Sequence, residues 1–257
     1  MQKLISVDLK SDFGFFRKPD ANNTINLSYN MLHKPALLGI LGAIIGLDGY
    51  KEKGKFPEYY EKLKDLQIGI EPLGHEKGNF QKTVIKYSNT VGYANNGSNY
   101  LTEEATLIKP SYRIYLLLEL EDEHQNRLYD YLKEGKTEYI PYFGKNEFPI
   151  WWDKDSFGEY EFKKVGENEN SYRVSSLFTI KEDKPPVIDF EQEESAIDSD
   201  IKLGHPYIYF ERLPASFDEE LVQYQLDKFV YSNYLFKNEL ILSNLFKLDQ
   251  EKYVQLH

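Results

Sequence analysis

Polar and apolar residues alternate at the start of the chain, and the pattern then changes to a long apolar run. Residues Leu4–Lys10 place Ile5, Val7 and Leu9 on one face, which predicts a β-strand with one buried side. Residues 35–47 read PALLGILGAIIGL and predict a helix whose proline stands in the first turn, where proline is tolerated. This run is shorter than the roughly 20 residues needed to cross a bilayer. A strand followed by a core helix is therefore expected.

Small residues form a line along this helix. Ala36, Gly39, Ala43 and Gly46 are spaced so that they share one helical face. A glycine inside a helix costs about 1 kcal/mol relative to alanine. Three glycines here, with Gly42 as the third, therefore predict close approach to another backbone, and we expect a β-sheet to provide it.

Further periodic segments extend the prediction as far as residue 149. They are a short helix at Pro57–Leu66, a strand at Gln67–Glu71, a strand at Tyr112–Glu121, a helix at Asp122–Glu134 that ends at Gly135, and a strand at Tyr139–Tyr142. The resulting order is β-α-β, a long excursion, and β-α-β. This is the order of a ferredoxin-like (RRM-like) domain, with the helix at 57–66 as an extra element.

The excursion at 72–110 is polar, rich in amides and interrupted by glycines. Excursions of this length in a compact domain are usually functional. Its centre, TVIKYSNTV at 83–91, predicts an extended arm, and a disordered surface loop is the alternative. The arm carries the RNA-binding candidates Lys82, Lys86 and Tyr87.

The remaining residues, 150–257, predict a smaller β-rich region. Strand-like segments occur at Tyr160–Lys164, Tyr172–Ile180 and Pro206–Glu211, and the acidic segment Asp183–Asp200 predicts a solvated loop. The tail from Glu219 to Leu256 mixes the helical and strand periods, so the pattern assigns it to neither.

Composition excludes several classes of chemistry. The chain has no cysteine, which excludes disulfides, cysteine zinc sites and a cysteine nucleophile. The segment GYKEKGK at 49–55 has phosphate-loop spacing, but Phe56 stands where serine or threonine would hold magnesium. We expect neither a metal nor a cofactor. The opening residues lack the apolar stretch of a signal peptide, so we expect a cytoplasmic protein without a membrane partner.

Charge is distributed unevenly along the chain. The net charge is −11, with about +2 in residues 1–120 and −13 in residues 121–257. An acidic protein is not a generic nucleic-acid binder. The near-neutral half can still contact RNA locally, while the acidic half can face basic partner subunits. This distribution favours binding of one RNA segment inside an assembly.

The loop before the first helix carries the strongest functional signal. Two phenylalanines precede two cations, a combination that can stack on bases and bind phosphates; stacking contributes about 1–3 kcal/mol per base. The candidate RNA-binding residues in this loop are Phe16, Arg17, Lys18, Asn22, Tyr29, Asn30, His33 and Lys34. Two alternatives remain open: one of Phe15 and Phe16 belongs to the core, or the whole loop is solvated and only anchored.

Two shorter motifs add candidates. In the turn FGKNEF at 143–148, Gly144 would let backbone amides approach a phosphate, and Lys145 and Asn146 can contact phosphate, sugar or base. His33 and Lys34 precede the helix and could bind a phosphate there. They could also act in RNA cleavage as acid, base or charge stabiliser, or His33 could simply fix the loop.

The opening strand Leu4–Lys10 and three motifs together resemble family 5 of the CRISPR-associated (Cas) proteins, in the RAMP superfamily, and in particular its type I-B form. The motifs are FFRKPD at Phe15–Asp20, YNMLHKPALLGILGAIIGL at Tyr29–Leu47 and YFGKNEFP at Tyr142–Pro149. The resemblance implies an α+β fold, with a ferredoxin-like RAMP domain over 1–149, a thumb inserted at about 75–109, and the smaller β-rich region over 150–257.

The resemblance also implies a function. The chain would be a non-catalytic subunit of a Cascade surveillance complex that caps the 5′ handle of the crRNA, with the thumb kinking the RNA. Its partners would be the backbone and large subunits and, through the complex, target DNA near the flanking motif. The sequence of the target would be read by guide pairing.

Two other functions remain open. Type I-C members of this family process the guide RNA, so a metal-independent endoribonuclease using His33, Lys34, Tyr29 and Lys86 is one alternative. In type I-B systems a separate processing enzyme is expected. The other alternative is a scaffold that acts mainly through protein–protein contacts.

Overall fold

The structure is a computed structural model that describes residues 1–19, 24–89, 100–166, 171–180, 187–190, 206–237, 242–249 and 252–257. Asn22, one of the predicted RNA-binding residues, lies outside the described residues, as does most of the predicted acidic loop at 183–200.

The described elements are short helices and many strands, an α+β composition as predicted. The helices are α1 (Lys34–Ile45), α2 (Glu58–Leu63) and α3 (Glu123–Glu134). The strands are β1 (Gln2–Lys10), β2 (Phe13–Gly14), β3 (Phe16–Arg17), β4 (Ile25–Asn26), β5 (Ser28–Tyr29), β6 (Gln67–Leu73), β7 (Lys82–Asn89), β8 (Tyr100–Ile108), β9 (Ser111–Glu119), β10 (Gly158–Tyr160), β11 (Phe162–Lys164), β12 (Ser171–Tyr172), β13 (Phe178–Thr179), β14 (Ile208–Asp218), β15 (Gln223–Ser232), β16 (Phe236–Lys237), β17 (Leu245–Leu248) and β18 (Tyr253–Gln255).

The central sheet has the ferredoxin-like arrangement. Its four antiparallel strands lie in the order β10-β1-β9-β6, and α1 and α3 supply the two crossovers. The predicted strands at Leu4–Lys10, Gln67–Glu71 and Tyr112–Glu121 are confirmed as β1, β6 and β9. The predicted fourth strand at Tyr139–Tyr142 is wrong, because β10 pairs with β1 at that edge of the sheet.

The residues at each end of the first helix, α1, provide its caps. The His33 ring accepts the Ala36 N–H at the start of α1, and Gly46 ends the helix in the left-handed conformation at φ 82°. Large apolar residues of α1 are fully buried in the main core together with residues of β1, β6 and β9.

The small residues of α1 do not lie against the sheet, so that prediction is wrong. Gly42 faces α2 instead: a Cβ there would stand 2.3 Å from the Tyr59 Cβ. The glycine therefore allows close approach of a second helix, because bulky residues already fill the space between α1 and the sheet. The predicted helix at Pro57–Leu66 is present as the shorter α2, and the predicted helix α3 begins at the cap Asp122 and ends at Gly135 as expected.

The excursion at 72–110 contains an antiparallel pair, β7 and β8, in register from Lys82↔Leu107 to Asn89↔Tyr100. The prediction of an extended arm is confirmed for its described part, and residues 90–99 are outside the description.

The C-terminal residues are β-rich, as predicted, and their longest pair is β14–β15. The tail that the sequence pattern left unassigned contributes the strands β15 to β18. Leu213, Phe229 and Tyr231 from this pair belong to the same buried cluster as α1 and β1. The β14–β15 pair therefore packs onto the first region and supports its candidate loop.

Candidate nucleic-acid interface

Three segments that the sequence singled out separately meet in the structure. Strand β2 pairs with β8 at Phe13↔Ile108, and β4 runs parallel to β8 at Ile25↔Glu103. The Phe15 N–H donates to the Phe143 carbonyl oxygen at 3.0 Å. The described parts of the loop (13–19 and 24–30), the arm (82–89 and 100–108) and the turn (142–149) thus form one continuous surface, called here the three-segment face.

Gly144 joins the turn to the loop. Its φ of +81° is left-handed, and a Cβ at this position would lie 1.9 Å from the Phe15 carbonyl oxygen. The Phe15 backbone therefore occupies the space beside Gly144 where a phosphate was expected, and that prediction is wrong. Glycine is required here for the turn to contact the loop.

Four of the predicted RNA-binding residues are buried: Phe16, Tyr29, Asn30 and His33. The Phe16 ring packs edge-on against Tyr112 and Phe143, with centroids 6.4 and 5.6 Å away. Phe15 is buried as well, so both phenylalanines belong to the core. These rings are enclosed and present no face on which a base could stack.

Asn30 connects the loop by hydrogen bonds to Gly78 and Phe80, which directly precede the arm. Its Nδ2 donates to the Gly78 carbonyl oxygen at 2.7 Å, and its Oδ1 accepts the Phe80 N–H at 3.1 Å. The Asn30 carbonyl oxygen accepts the Tyr112 hydroxyl at 3.0 Å. Since the buried amide is hydrogen-bonded at both ends, it fixes the loop and is not available to a base.

His33 is enclosed by aromatic rings and serves as the cap of α1. Its Nδ1 accepts the Ala36 N–H at 3.3 Å, and the rings of Phe16, Tyr29 and Tyr224 surround it. Burial lowers the pKa of His33 to about 3, so the imidazole is neutral at neutral pH. Of the roles proposed for His33, this geometry fits the structural one.

Lys34 points away from the three-segment face. Its Nζ donates to the His257 carbonyl oxygen at 3.1 Å, beside β6. Burial lowers the pKa of Lys34, while Asp65 partly opposes that shift. The structure therefore does not bring Lys34 to the other candidate cations.

The cations of the three-segment face differ in whether they form ion pairs with carboxylates. Arg17 is exposed and donates to Asn26 Oδ1 at 3.2 Å. Lys82 is also on the surface of the arm; partial burial lowers its pKa, Glu211 opposes the shift and Lys18 adds to it. Neither Arg17 nor Lys82 forms an ion pair with any residue that the structure describes.

The other lysines of the face are paired with glutamates. Lys86, whose side chain is 75% exposed, lies 2.7 Å from Glu103. Lys145 lies 2.7 Å from Glu104 and 3.1 Å from Glu147, above the Tyr87 ring at 3.8 Å. Although burial opposes the shift, these carboxylates raise the pKa of Lys145. Asn146 is exposed beside this cluster.

Glu211 of β14 is a site residue that the sequence did not reveal. Its carboxylate, 7% exposed, accepts the backbone N–H groups of Asn30 and Met31 at 3.2 Å. It also pairs with Lys18 at 2.9 Å and accepts the Tyr209 hydroxyl at 2.9 Å. Because about 180 positions separate Glu211 from the loop, no local pattern could have predicted this contact.

Within the described part of the chain, no group of three or more acidic or histidine side chains is arranged to hold a metal ion. None of the described helices is long and apolar enough to cross a membrane.

Comparison with known proteins finds likeness in structure only. No family model and no curated protein matches the sequence. A crystal structure of a CRISPR protein from Archaeoglobus fulgidus matches with a TM-score of 0.50 and 12% identity, covering 98% of this chain and 97% of that one. A subunit of a CRISPR RNA-guided surveillance complex matches with a TM-score of 0.49 and 11% identity over 91% of both chains. A chain of the type III-B Cmr-beta complex bound to cognate target RNA matches with a TM-score of 0.46 and 12% identity over 99% of both.

At such low sequence identity these matches bear on the fold alone. The chain shares the overall fold of the CRISPR protein from Archaeoglobus fulgidus.

Proposed function

We propose that this chain is a non-catalytic, guide-RNA-binding subunit of a CRISPR ribonucleoprotein complex, a type I-B Cascade. The observation that carries the proposal is the three-segment face: the loop, the arm and the turn are remote in sequence and contiguous in the fold. A single RNA segment such as the 5′ handle of the crRNA could contact all three at once.

The exposed cations supply the phosphate contacts. Arg17 and Lys82 have no carboxylate partner among the described residues, so phosphate binding there displaces no ion pair. Lys86 forms an ion pair with Glu103 on an exposed surface. Ion pairs in such positions are weak, so a phosphate can replace the carboxylate. Asn146 adds a hydrogen-bonding side chain beside them.

The carboxylates on the same face limit its affinity for free RNA. Glu103, Glu104 and Glu147 lie among the lysines and repel phosphates. The chain as a whole is acidic as well. Binding should therefore be local and supported by neighbouring subunits, which agrees with a position in an assembly that includes the backbone and large subunits and, through them, target DNA.

The environment of His33 supports a non-catalytic role. Metal-free RNA cleavage needs a base for the 2′-hydroxyl and a proton for the leaving oxygen. His33 is buried and neutral with Nδ1 already bonded, and Lys34 points to a different edge. A direct test is to incubate the purified protein with repeat RNA in EDTA. We expect intact RNA on a denaturing gel, and a discrete cut that is lost in His33→Ala would favour the endoribonuclease instead.

The binding claim is tested in the assembled complex. We would compare the double variant Arg17→Ala/Lys82→Ala with the control Lys62→Ala/Lys133→Ala, which removes two exposed lysines from α2 and α3. The proposal predicts that guide-RNA retention falls at least tenfold in the first variant and is unchanged in the control. Equal retention in both would favour the scaffold alternative.

A further inference from the structure

A second surface adjoins the three-segment face, with which it shares Tyr142 and Gly144, and contains none of the proposed phosphate-binding cations. It is a groove of about 560 Å³ whose floor is the small-residue face of α1, with Ala36, Gly39 and Ala43. Its walls come from residues 47–59, residues 139–142 and the β14–β15 pair. We call it the aromatic groove, because Tyr50, Tyr59, Tyr139, Tyr142, Phe217 and Tyr224 line it.

The small residues of α1 create this concavity. Tyr59 of α2 packs over Gly42, and the edge of its ring reaches to 3.5 Å from the Cβ position of Gly39. Beside that ring, Ala36, Gly39 and Ala43 line the open groove. Larger side chains at these positions would reduce the groove, and at Gly39 alanine would also favour the helix more than glycine does. The sequence thus keeps an apolar depression open on the outer face of a core helix.

The rim of the groove exposes large apolar side chains together. Ile140 is 73% exposed, Tyr50 58%, Tyr139 55% and Tyr142 44%. Single exposed apolar residues are normal, but a contiguous group around a concave site marks an interaction surface. Tyrosine is also enriched where protein partners bind, because it buries a large area with few rotatable bonds.

The charges lining the groove distinguish a protein partner from RNA. The residues that line it include the carboxylate of Asp48 and no lysine or arginine. Single-stranded RNA needs cations along its phosphates as well as aromatic rings, so this lining disfavours it. Aromatic rings beside a carboxylate instead suit a lysine or arginine side chain. Asp48 now pairs with exposed Lys51, a surface contact that a partner's cation can replace.

We propose that the aromatic groove docks an apolar segment of a partner protein that carries a lysine or arginine beside its apolar side chains. The inference rests on the proposed function in one respect: the partner is another subunit of the same ribonucleoprotein complex. Tyr142 and Gly144 line the groove and also belong to the turn of the three-segment face. Protein docking and RNA binding would therefore occur on adjoining surfaces.

The occupant can be identified by site-specific cross-linking. The photo-reactive residue p-benzoylphenylalanine would replace Ile140 in the complex assembled by co-expression with the proteins encoded beside this chain and a guide RNA. The control position is Phe210 of β14, which is 59% exposed and does not line the groove. Peptides cross-linked to each position would be identified by mass spectrometry.

The expected result is a cross-link from position 140, absent from position 210, to one segment of another subunit with apolar residues and a lysine or arginine. A cross-link to RNA, to a second copy of this chain or to a segment without a cation would overturn the proposal. The absence of any cross-link from position 140 in a complex that retains the chain would overturn it too.

Surface variants separate this proposal from the proposed function. Ile140→Asp and Asp48→Lys change exposed side chains, and each should lower retention of the cross-linked subunit at least tenfold while leaving RNA binding within twofold. Phe210→Asp is the matched control and should change neither. If Ile140→Asp and Asp48→Lys have no effect while Arg17→Ala/Lys82→Ala loses RNA, the groove proposal fails alone. The reverse pattern would refute RNA binding by the three-segment face and keep the groove.

Discussion

The exposed residues of the three-segment face and the buried residues beneath it use their polar groups differently. The buried residues, called here the inner layer, are Asn30, His33 and Glu211, and their hydrogen bonds hold the loop against the arm and α1. The exposed residues, called here the outer layer, are Arg17, Lys82, Lys86 and Asn146. Of these, Lys86 pairs with a carboxylate, and that surface pair can be replaced by a phosphate. Changes to the inner layer should therefore alter stability, and changes to the outer layer should alter RNA binding.

The largest effect is expected at Gly144. The variant Gly144→Ala places a methyl group on the Phe15 carbonyl oxygen and forces a non-glycine residue to a φ of +81°. We expect a loss of more than about 4 kcal/mol in the free energy of unfolding, measured by urea denaturation. Gly49→Ala is the control, because nothing lies within 4 Å of its Cβ position and its effect should be below about 1 kcal/mol. Equal effects would contradict the close contact between turn and loop.

The next effect concerns Glu211. In Glu211→Ala, the buried N–H groups of Asn30 and Met31 and the Lys18 ammonium lose their acceptor. Leaving such groups unpaired costs about 3 kcal/mol, so the urea midpoint should fall accordingly. The control Glu219→Ala removes an exposed carboxylate that pairs with Lys64 at the surface, and should leave the midpoint unchanged. If the urea midpoint of Glu211→Ala is also unchanged, β14 does not anchor the loop.

Acid should weaken the inner layer through His33. Its pKa is lowered from 6.5 to about 3 by burial, so the folded state excludes a proton that the unfolded state binds. Proton binding to the unfolded state therefore lowers the free energy of unfolding. The loss is absent above pH 6.5 and grows as the pH falls below that value, reaching about 2 kcal/mol at pH 5. Between pH 7 and pH 5, His33→Asn should therefore lose less stability than the unsubstituted chain, measured by urea denaturation at each pH. Identical pH dependence in the two proteins would mean that His33 is not buried in solution.

The smallest change in stability is expected in the outer layer. Lys86→Ala removes one exposed ion pair and should leave the urea midpoint unchanged, because such pairs are screened by water. Its RNA affinity should fall, and the dependence of affinity on salt should weaken by about one charge. Lys133→Ala serves as control for both measurements. A marked loss of stability without any loss of RNA affinity would place Lys86 in the inner layer.

The sequence predicted the ferredoxin-like order well where segments were long and regular. β1, β9 and α3 have clear periods or caps, and their positions are confirmed. The fourth strand was missed because β10 has only three residues, too few for a period. The aromatic segment 139–142 has strand-like composition, but its exposed side chains line the aromatic groove.

The segment 219–256 could not be assigned from its sequence pattern for a different reason. β15 alternates in burial over its first part and is buried throughout its last four residues, since only that end is covered on both sides. A single period therefore does not fit, although the whole segment is strand. The candidate site was similarly predictable only in part: the three segments could be named, but their division into buried and exposed residues depends on contacts between distant segments such as Asn30 with Glu211.

RNA binding by the three-segment face can be tested by mapping guide-RNA contacts in the assembled complex with ultraviolet cross-linking and mass spectrometry. We expect cross-linked peptides of this chain from the loop at 13–19, the arm at 82–89 and the turn at 142–149. Cross-links confined to other parts of the chain, in a complex that retains both the chain and the guide RNA, would contradict it.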